Sequence, residues 1–197
     1  MSNDTVNVKR RRFLTAATTL VGTVGAVGAA VPFVGSWNPS AKAKAAGAPV
    51  EINISKIEPG QMITVEWRGK PVYVFRRTPE VIAQLSEGEQ FLRDPGSDKP
   101  QQPEYAKNKT RSINPEIAVL LGLCTHLGCA PSYRPEVGAQ DLGGDSWFGG
   151  FFCACHGSKF DLAGRVHQGV PAPINLLVPP HKYLSDDIIL IGEDQEA

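Results

Sequence analysis

Two short segments hold most of the residues that could bind a soft metal. Cys124-Thr125-His126-Leu127-Gly128-Cys129 and Cys153-Ala154-Cys155-His156-Gly157-Ser158 contain all four cysteines and two of the four histidines of the 197-residue chain. Thiolates and neutral imidazoles hold iron and zinc, and crowding them into two loops differs from a disulfide framework, which spreads its cysteines through a small chain. Each loop offers one Cys/His pair with one or two residues between the ligands, plus a spare cysteine, and its glycine lets the backbone come close to whatever is bound. Two such loops can clamp a two-metal cluster from opposite sides. Two other arrangements use the same residues: a tetrahedral zinc site, or disulfides throughout with the histidines incidental. Zinc leaves the spare cysteine of each loop without a purpose. Disulfides throughout make the two adjacent histidines a coincidence.

The rest of the chain must position these loops. It has material for one compact domain of roughly 150 residues plus an appendage. Its 20 basic and 20 acidic side chains give no net charge, and the absence of a basic stripe excludes a nucleic-acid partner. From Val50 onward apolar and polar residues alternate, predicting strands over 50–54, 62–67 and 72–76, with a hairpin at Arg68-Gly69. Thr78-Pro79-Glu80 combines an N-cap, a proline at the first helical position and an acidic first turn, which predicts a short helix to about Ser86. Residues 88–115, rich in proline, glycine and charge, are expected to form a long surface loop. Further strands are expected at 117–121, 147–152, 176–178 and 188–191, so the body is mostly β and carries no internal repeat.

Ahead of this body, Lys9-Arg10-Arg11-Arg12 precedes residues 13–37, which carry no charge. As a helix that stretch reaches about 37 Å, against a hydrocarbon core of about 30 Å. Arg10-Arg11-Arg12-Phe13-Leu14 resembles a twin-arginine export signal, which serves proteins that fold, and take up a cofactor, before crossing. The basic residues put residues 1–12 in the cytoplasm and everything beyond residue 40 outside. Ala41-Lys42-Ala43 and Ala43-Lys44-Ala45 also fit a cleavage site, so a removed signal peptide is the alternative to a transmembrane anchor. Residues 38–49 are small, alanine-rich and bounded by prolines, as a flexible hinge linker would be, with Lys42 and Lys44 as solvated charges.

The two loops together resemble the cluster-binding boxes of the Rieske iron–sulfur subunit of quinol:cytochrome c oxidoreductase. The likeness extends to the anchor, the hinge, Leu92-Arg93-Asp94-Pro95, Asn114-Pro115-Glu116 and Gly169-Val170-Pro171-Ala172-Pro173. It favours a retained anchor at 13–37. It implies a Rieske-type antiparallel β-sandwich over 50–197, with a cluster-binding subdomain inserted at about 122–175 and one N-terminal transmembrane helix. It implies one 2Fe–2S cluster, with Cys124 and Cys153 on the buried iron and His126 and His156 on the outer one. Cys129 and Cys155 would form a disulfide, and Ser158 would hydrogen-bond a cluster sulfur. Gly169, Pro171 and Pro173 would belong to a proline loop covering the cluster, and Leu127 and His156 would dock at the quinol site. Two positions depart from the common pattern: Ala154 stands where proline is frequent, and Phe160 where many members have a tyrosine whose hydroxyl bonds a ligand sulfur.

The implied reaction is loss of an electron and a proton from ubiquinol, with His156 and His126 as the acting imidazoles. Metal ligation makes an imidazole a stronger acid, so the potential is expected to depend on pH. The implied partners are cytochrome b and a c-type haem subunit of a dimeric, inner-membrane complex, with the cluster domain on the periplasmic side and the hinge letting it swing between donor and acceptor. The chain would contribute to proton translocation in a respiratory or photosynthetic chain without being an enzyme by itself. The rival is a Rieske-type carrier or oxygenase domain, which generally lacks the extra cysteine pair and the anchor. His167 and His181, among polar residues and prolines, are expected at the surface. Trp37 reads as an interfacial anchor, and Trp67 and Trp147 as packed apolar residues.

Overall fold

The computed structural model describes residues 7–194, and the chain divides into two units at Ala45/Ala46. The first is dominated by helix α1, Val8–Gly35, capped by Asn7, whose side chain accepts from Arg10 N–H at 3.1 Å. It is long and apolar enough to cross a membrane, and none of its residues is buried. Its hydroxyls are compatible with lipid because Thr15, Thr18, Thr19 and Thr23 each donate to the carbonyl four residues earlier, at 2.8–2.9 Å. The helix starts before the uncharged stretch, so the basic residues lie in its first turns. Within the segment read as a hinge, Ala41–Ala46 forms a short helix, α2, because alanine is the strongest helix former.

The second unit is built from three antiparallel, three-stranded sheets. The strands are β1 (Val50–Asn53), β2 (Met62–Trp67), β3 (Lys70–Arg76), β4 (Ile117–Leu121), β5 (Ser132–Arg134), β6 (Gly150–Cys153), β7 (Ser158–Asp161), β8 (His181–Ser185) and β9 (Ile188–Ile191). Helix α3, Pro79–Glu87, is capped by Thr78 as its sequence predicts. The sheet orders are β1-β9-β8, β2-β3-β4 and β5-β6-β7. The hairpin β2–β3 turns at Arg68 and Gly69, both with positive φ, the twist that suits a two-residue connection.

The sheet β2-β3-β4 is covered on both sides. Val72, Val74, Ile117 and Val119 face a core shared with Ile52, Ile189 and Ile191, whereas Tyr73, Phe75, Ala118 and Leu120 face a second core with Phe151, Phe160, Cys124 and Cys153. Burial on both faces explains why β4 reads as an unbroken apolar run. The cluster-binding sheet β5-β6-β7 and its loops are inserted between β4 and β8, and the strands at the two ends of the unit meet in β1-β9-β8. The architecture is therefore a three-layer stack, one layer more than a plain sandwich.

Several local expectations need correction. Residues 176–178 are buried or half-buried but form no strand: Leu176 N–H bonds Gly164 O, Val178 N–H bonds Gln101 O, and Leu177 O accepts from Leu121 N–H. An apolar run shared among three segments has no ladder to join. The strand expected at 147–152 begins only at Gly150, because Trp147 N–H closes a turn onto Gly144 O. Strands β5, β7 and β8 carried too little periodicity to be foreseen. Residues 88–115 are not merely a surface loop, since Leu92, Asp94, Ser97, Ala106, Arg111 and Ser112 are buried.

Candidate metal centre

The two boxes follow β4 and join β6 to β7, so both leave ordered strands. Each is a tight turn of the same kind: Gly128 N–H donates to Cys124 O, and Gly157 N–H to Cys153 O, both at 2.9 Å. Gly128 and Gly157 have φ of +84° and +76°, a backbone that a side chain resists. Cys124 N–H also bonds Cys129 O at 2.8 Å, closing the first box at its base.

Cys129 and Cys155 form a disulfide that ties the boxes together, as the resemblance implied. Cys124 and Cys153 are free thiols at 3% and 2% exposure, packed in the same core. Burial, then the neighbouring thiol, pushes Cys153 above the ordinary thiol range, while the N–H groups of Cys155 and His156 pull the other way. Those two donors are arranged for a thiolate. The sulfurs of Cys129, Cys153 and Cys155 lie within 4.8 Å of one another, but two of them are spent on each other, so the three make no ligand set.

The imidazoles of His126 and His156 lie edge to face, with centroids 4.7 Å apart. His156 is exposed and His126 half-buried, so the site is graded from a dry thiol end to a wet imidazole end. His126 Nδ1 is buried and has no hydrogen-bond partner. An orphaned buried nitrogen costs about 1–3 kcal/mol, a cost that a bond to metal removes. Two free thiols, two adjacent imidazoles and that unpaired nitrogen fit a two-iron cluster.

Around the boxes the chain is tied down by polar contacts. Ser158, fully buried, accepts from Ala172 N–H at 3.0 Å. Leu127 is 71% exposed at the tip of the first box, and Pro171 and Pro173 are exposed beside buried Ala172. Other contacts were not foreseen. Thr125 Oγ1 donates to Ile174 O at 2.6 Å, Tyr73 OH to Pro131 O at 2.9 Å, and Asn175 bridges Val166 N–H, Asp94 O and Ser97 Oγ. Position alone offered a signal for Thr125, between two candidate ligands, and for Asn175, just after the proline loop. Three buried arginines tie this region together: Arg77 donates to Leu162 O, Arg111 to Ala163 O and Arg165 to Leu85 O in helix α3, and Asp161 accepts from Arg165 Nε at 2.7 Å. Burial pulls Arg77 and Arg111 below the ordinary guanidinium range, with Asp161 as the opposing charge.

His181 is buried and His167 half-buried, so neither stands free at the surface as expected. His181 is 1% exposed, with Nδ1 bonded to Pro179 O at 2.8 Å, and His167 stacks on fully buried Trp147 at 5.8 Å. Burial lowers both below the ordinary histidine range. Pro179, two residues before His181, is itself buried and supplies the carbonyl that His181 Nδ1 meets.

The fold and the graded thiol–imidazole site define a Rieske iron–sulfur protein, and a family model described as the Rieske [2Fe-2S] domain matches residues 49–180. A second model, a ubiquitinol-cytochrome C reductase Fe-S subunit TAT signal, matches residues 1–40. Among curated relatives, the ubiquinol-cytochrome c reductase iron-sulfur subunit of Allochromatium vinosum is 62% identical, over 99% of this chain and 94% of that one. The subunits of Rhodospirillum rubrum and Blastochloris viridis are 44% and 42% identical, over 93% and 97% of this chain and 91% and 97% of theirs. The chain belongs to the family of ubiquinol-cytochrome c reductase iron-sulfur subunits. Its cofactor is a 2Fe–2S cluster, its task is electron transfer as part of an oxidoreductase complex, and its N-terminal helix and export signal are those of a membrane-anchored subunit.

Proposed function

We propose that Cys124 and Cys153 hold one iron and His126 and His156 the other, and that the chain takes an electron and a proton from ubiquinol and passes the electron to a c-type haem. The observation that carries this is the gradient of the site: buried thiols behind, an exposed imidazole in front, and Leu127 bare beside it. The cluster, when bound, supplies a one-electron acceptor. His156, the more exposed imidazole, accepts a hydrogen bond from the quinol hydroxyl and then its proton. His126 completes the outer pair. Leu127 seats the tip in an apolar quinol site on cytochrome b, excluding water from the transfer. Ser158 donates to a cluster sulfur, and segment 169–173 covers the cluster from the side.

Basic residues 9–12, in the first turns of the apolar helix, support an anchor entering from the cytoplasm, with the cluster domain on the periplasmic side of the inner membrane. Residues 38–49 act as the hinge between the quinol site and the haem acceptor, within a dimeric complex. The test is Leu127→Ala in membranes holding the assembled complex. Quinol-dependent reduction of cytochrome c falls roughly tenfold or more, the equivalent of about 1.5–3 kcal/mol for a lost leucine contact, while the cluster's paramagnetic signal stays. Unchanged turnover overturns the docking role.

A further inference from the structure

Segment 169–173 contains two peptide groups that end on proline, Val170-Pro171 and Ala172-Pro173. Neither can donate a hydrogen bond, so only their carbonyls can fix them. One guanidinium takes both: Arg93 Nη2 donates to Val170 O at 3.0 Å and Arg93 Nη1 to Ala172 O at 3.1 Å. The two carbonyls lie close enough for one planar guanidinium fork to take both, which the single ammonium of lysine cannot do in the same way. The intervening Ala172 N–H points to Ser158 Oγ at 3.0 Å.

The base of the fork is anchored to the same body. Arg93 N–H donates to Val166 O at 2.9 Å, while Gln168 gives its N–H to Phe91 O and its side-chain amide to Leu92 O, each at 2.8 Å. Both sides of the clamp are therefore held before the guanidinium closes it.

A serine hydroxyl that accepts from an N–H keeps its own proton to give, and the accepted bond polarises it. We infer that Arg93 is a positioning residue for the metal centre: it holds segment 170–172 so that Ala172 N–H stays on Ser158 and aims the Ser158 proton at the cluster. This rests on the proposed ligand set and on Ser158 facing a cluster sulfur. Arg93 is itself exposed, so replacing it leaves no buried charge or cavity behind.

The test is a redox titration, read by paramagnetic resonance, of membranes carrying wild type, Arg93→Gln, Arg93→Lys, Ser158→Ala and the double variant Arg93→Gln/Ser158→Ala. Ser158→Ala lowers the midpoint potential. Arg93→Gln lowers it by part of that shift, Arg93→Lys by less, and the double variant matches Ser158→Ala, because the arginine acts only through the hydroxyl. An Arg93→Gln midpoint equal to wild type, or shifts that add in the double variant, overturns the inference. Should Arg93→Gln load no cluster, Arg93→Lys is judged by the same two criteria, alone and combined with Ser158→Ala. A wild-type midpoint in Ser158→Ala removes the Ser158 link and the inference with it. A wild type without a Rieske signal refutes the ligand set itself and shows the failure to lie there.

Discussion

Removing the disulfide by Cys129→Ala with Cys155→Ala isolates what holds the two boxes together. Each box keeps its own turn, since the bonds from Gly128 to Cys124 O and from Gly157 to Cys153 O lie within the separate loops. What is lost is the tie across 26 residues of chain, whose loop-closure entropy is about 3.5 kcal/mol at 25 °C. The assay is urea unfolding of cluster-free protein, followed by the fluorescence of buried Trp67 and Trp147. With a slope of about 2 kcal/mol per molar urea, the midpoint falls by roughly 1.7 M. Reducing the wild-type protein produces the same displacement, because it opens the same loop. A fall of less than about 0.5 M, or a reductant effect in the double variant as large as in wild type, refutes the reasoning.

Other outcomes follow from the same geometry. Phe160→Tyr, fully buried in the core that contains both free thiols, raises the midpoint potential by adding a donor to a ligand sulfur; a titration showing no rise, or a fall, contradicts this. His181 has a folded pKa below its unfolded value of 6.5, so its contribution to stability is complete above about pH 6.5 and is lost as the unfolded chain takes up the proton first at lower pH. Unfolding free energies at pH 7.5 and 5.5 therefore differ more in wild type than in His181→Gln. Proline substitutions within residues 41–48 slow quinol-to-cytochrome turnover and leave the cluster signal unaltered; turnover at the wild-type rate removes the hinge from the mechanism.

Much of the metal centre was legible because its chemistry is local. A Cys/His pair and a spare cysteine in each of two six-residue boxes offer candidate donors close in sequence, and the structure joins the two spare cysteines, buries the other two thiols in one core and sets the imidazoles edge to face. Strands β1 to β4 and β9, with the helix capped by Thr78, were legible from alternation and capping. What sequence could not show depends on partners far along the chain. Arg93 meets residues 77 and 79 positions away, and Tyr73 reaches a carbonyl 58 positions on. His167 and His181 were misread for the same reason: nothing near them in sequence announces Trp147 or Tyr105 as ring neighbours. Strands β5, β7 and β8 hold mostly polar residues, with neither an apolar run nor an alternation to declare them.

The central claim is that two thiolates and two imidazoles hold a two-iron cluster, and it is tested most directly by analysing correctly matured protein for iron and acid-labile sulfide while resolving nitrogen couplings in its reduced paramagnetic spectrum. The account predicts two irons and two sulfides per chain with two inequivalent nitrogen ligands, and loss of the signal in His126→Ser and in His156→Ser. Zinc bound one per chain without sulfide, or a reduced cluster showing sulfur coordination alone, would contradict it.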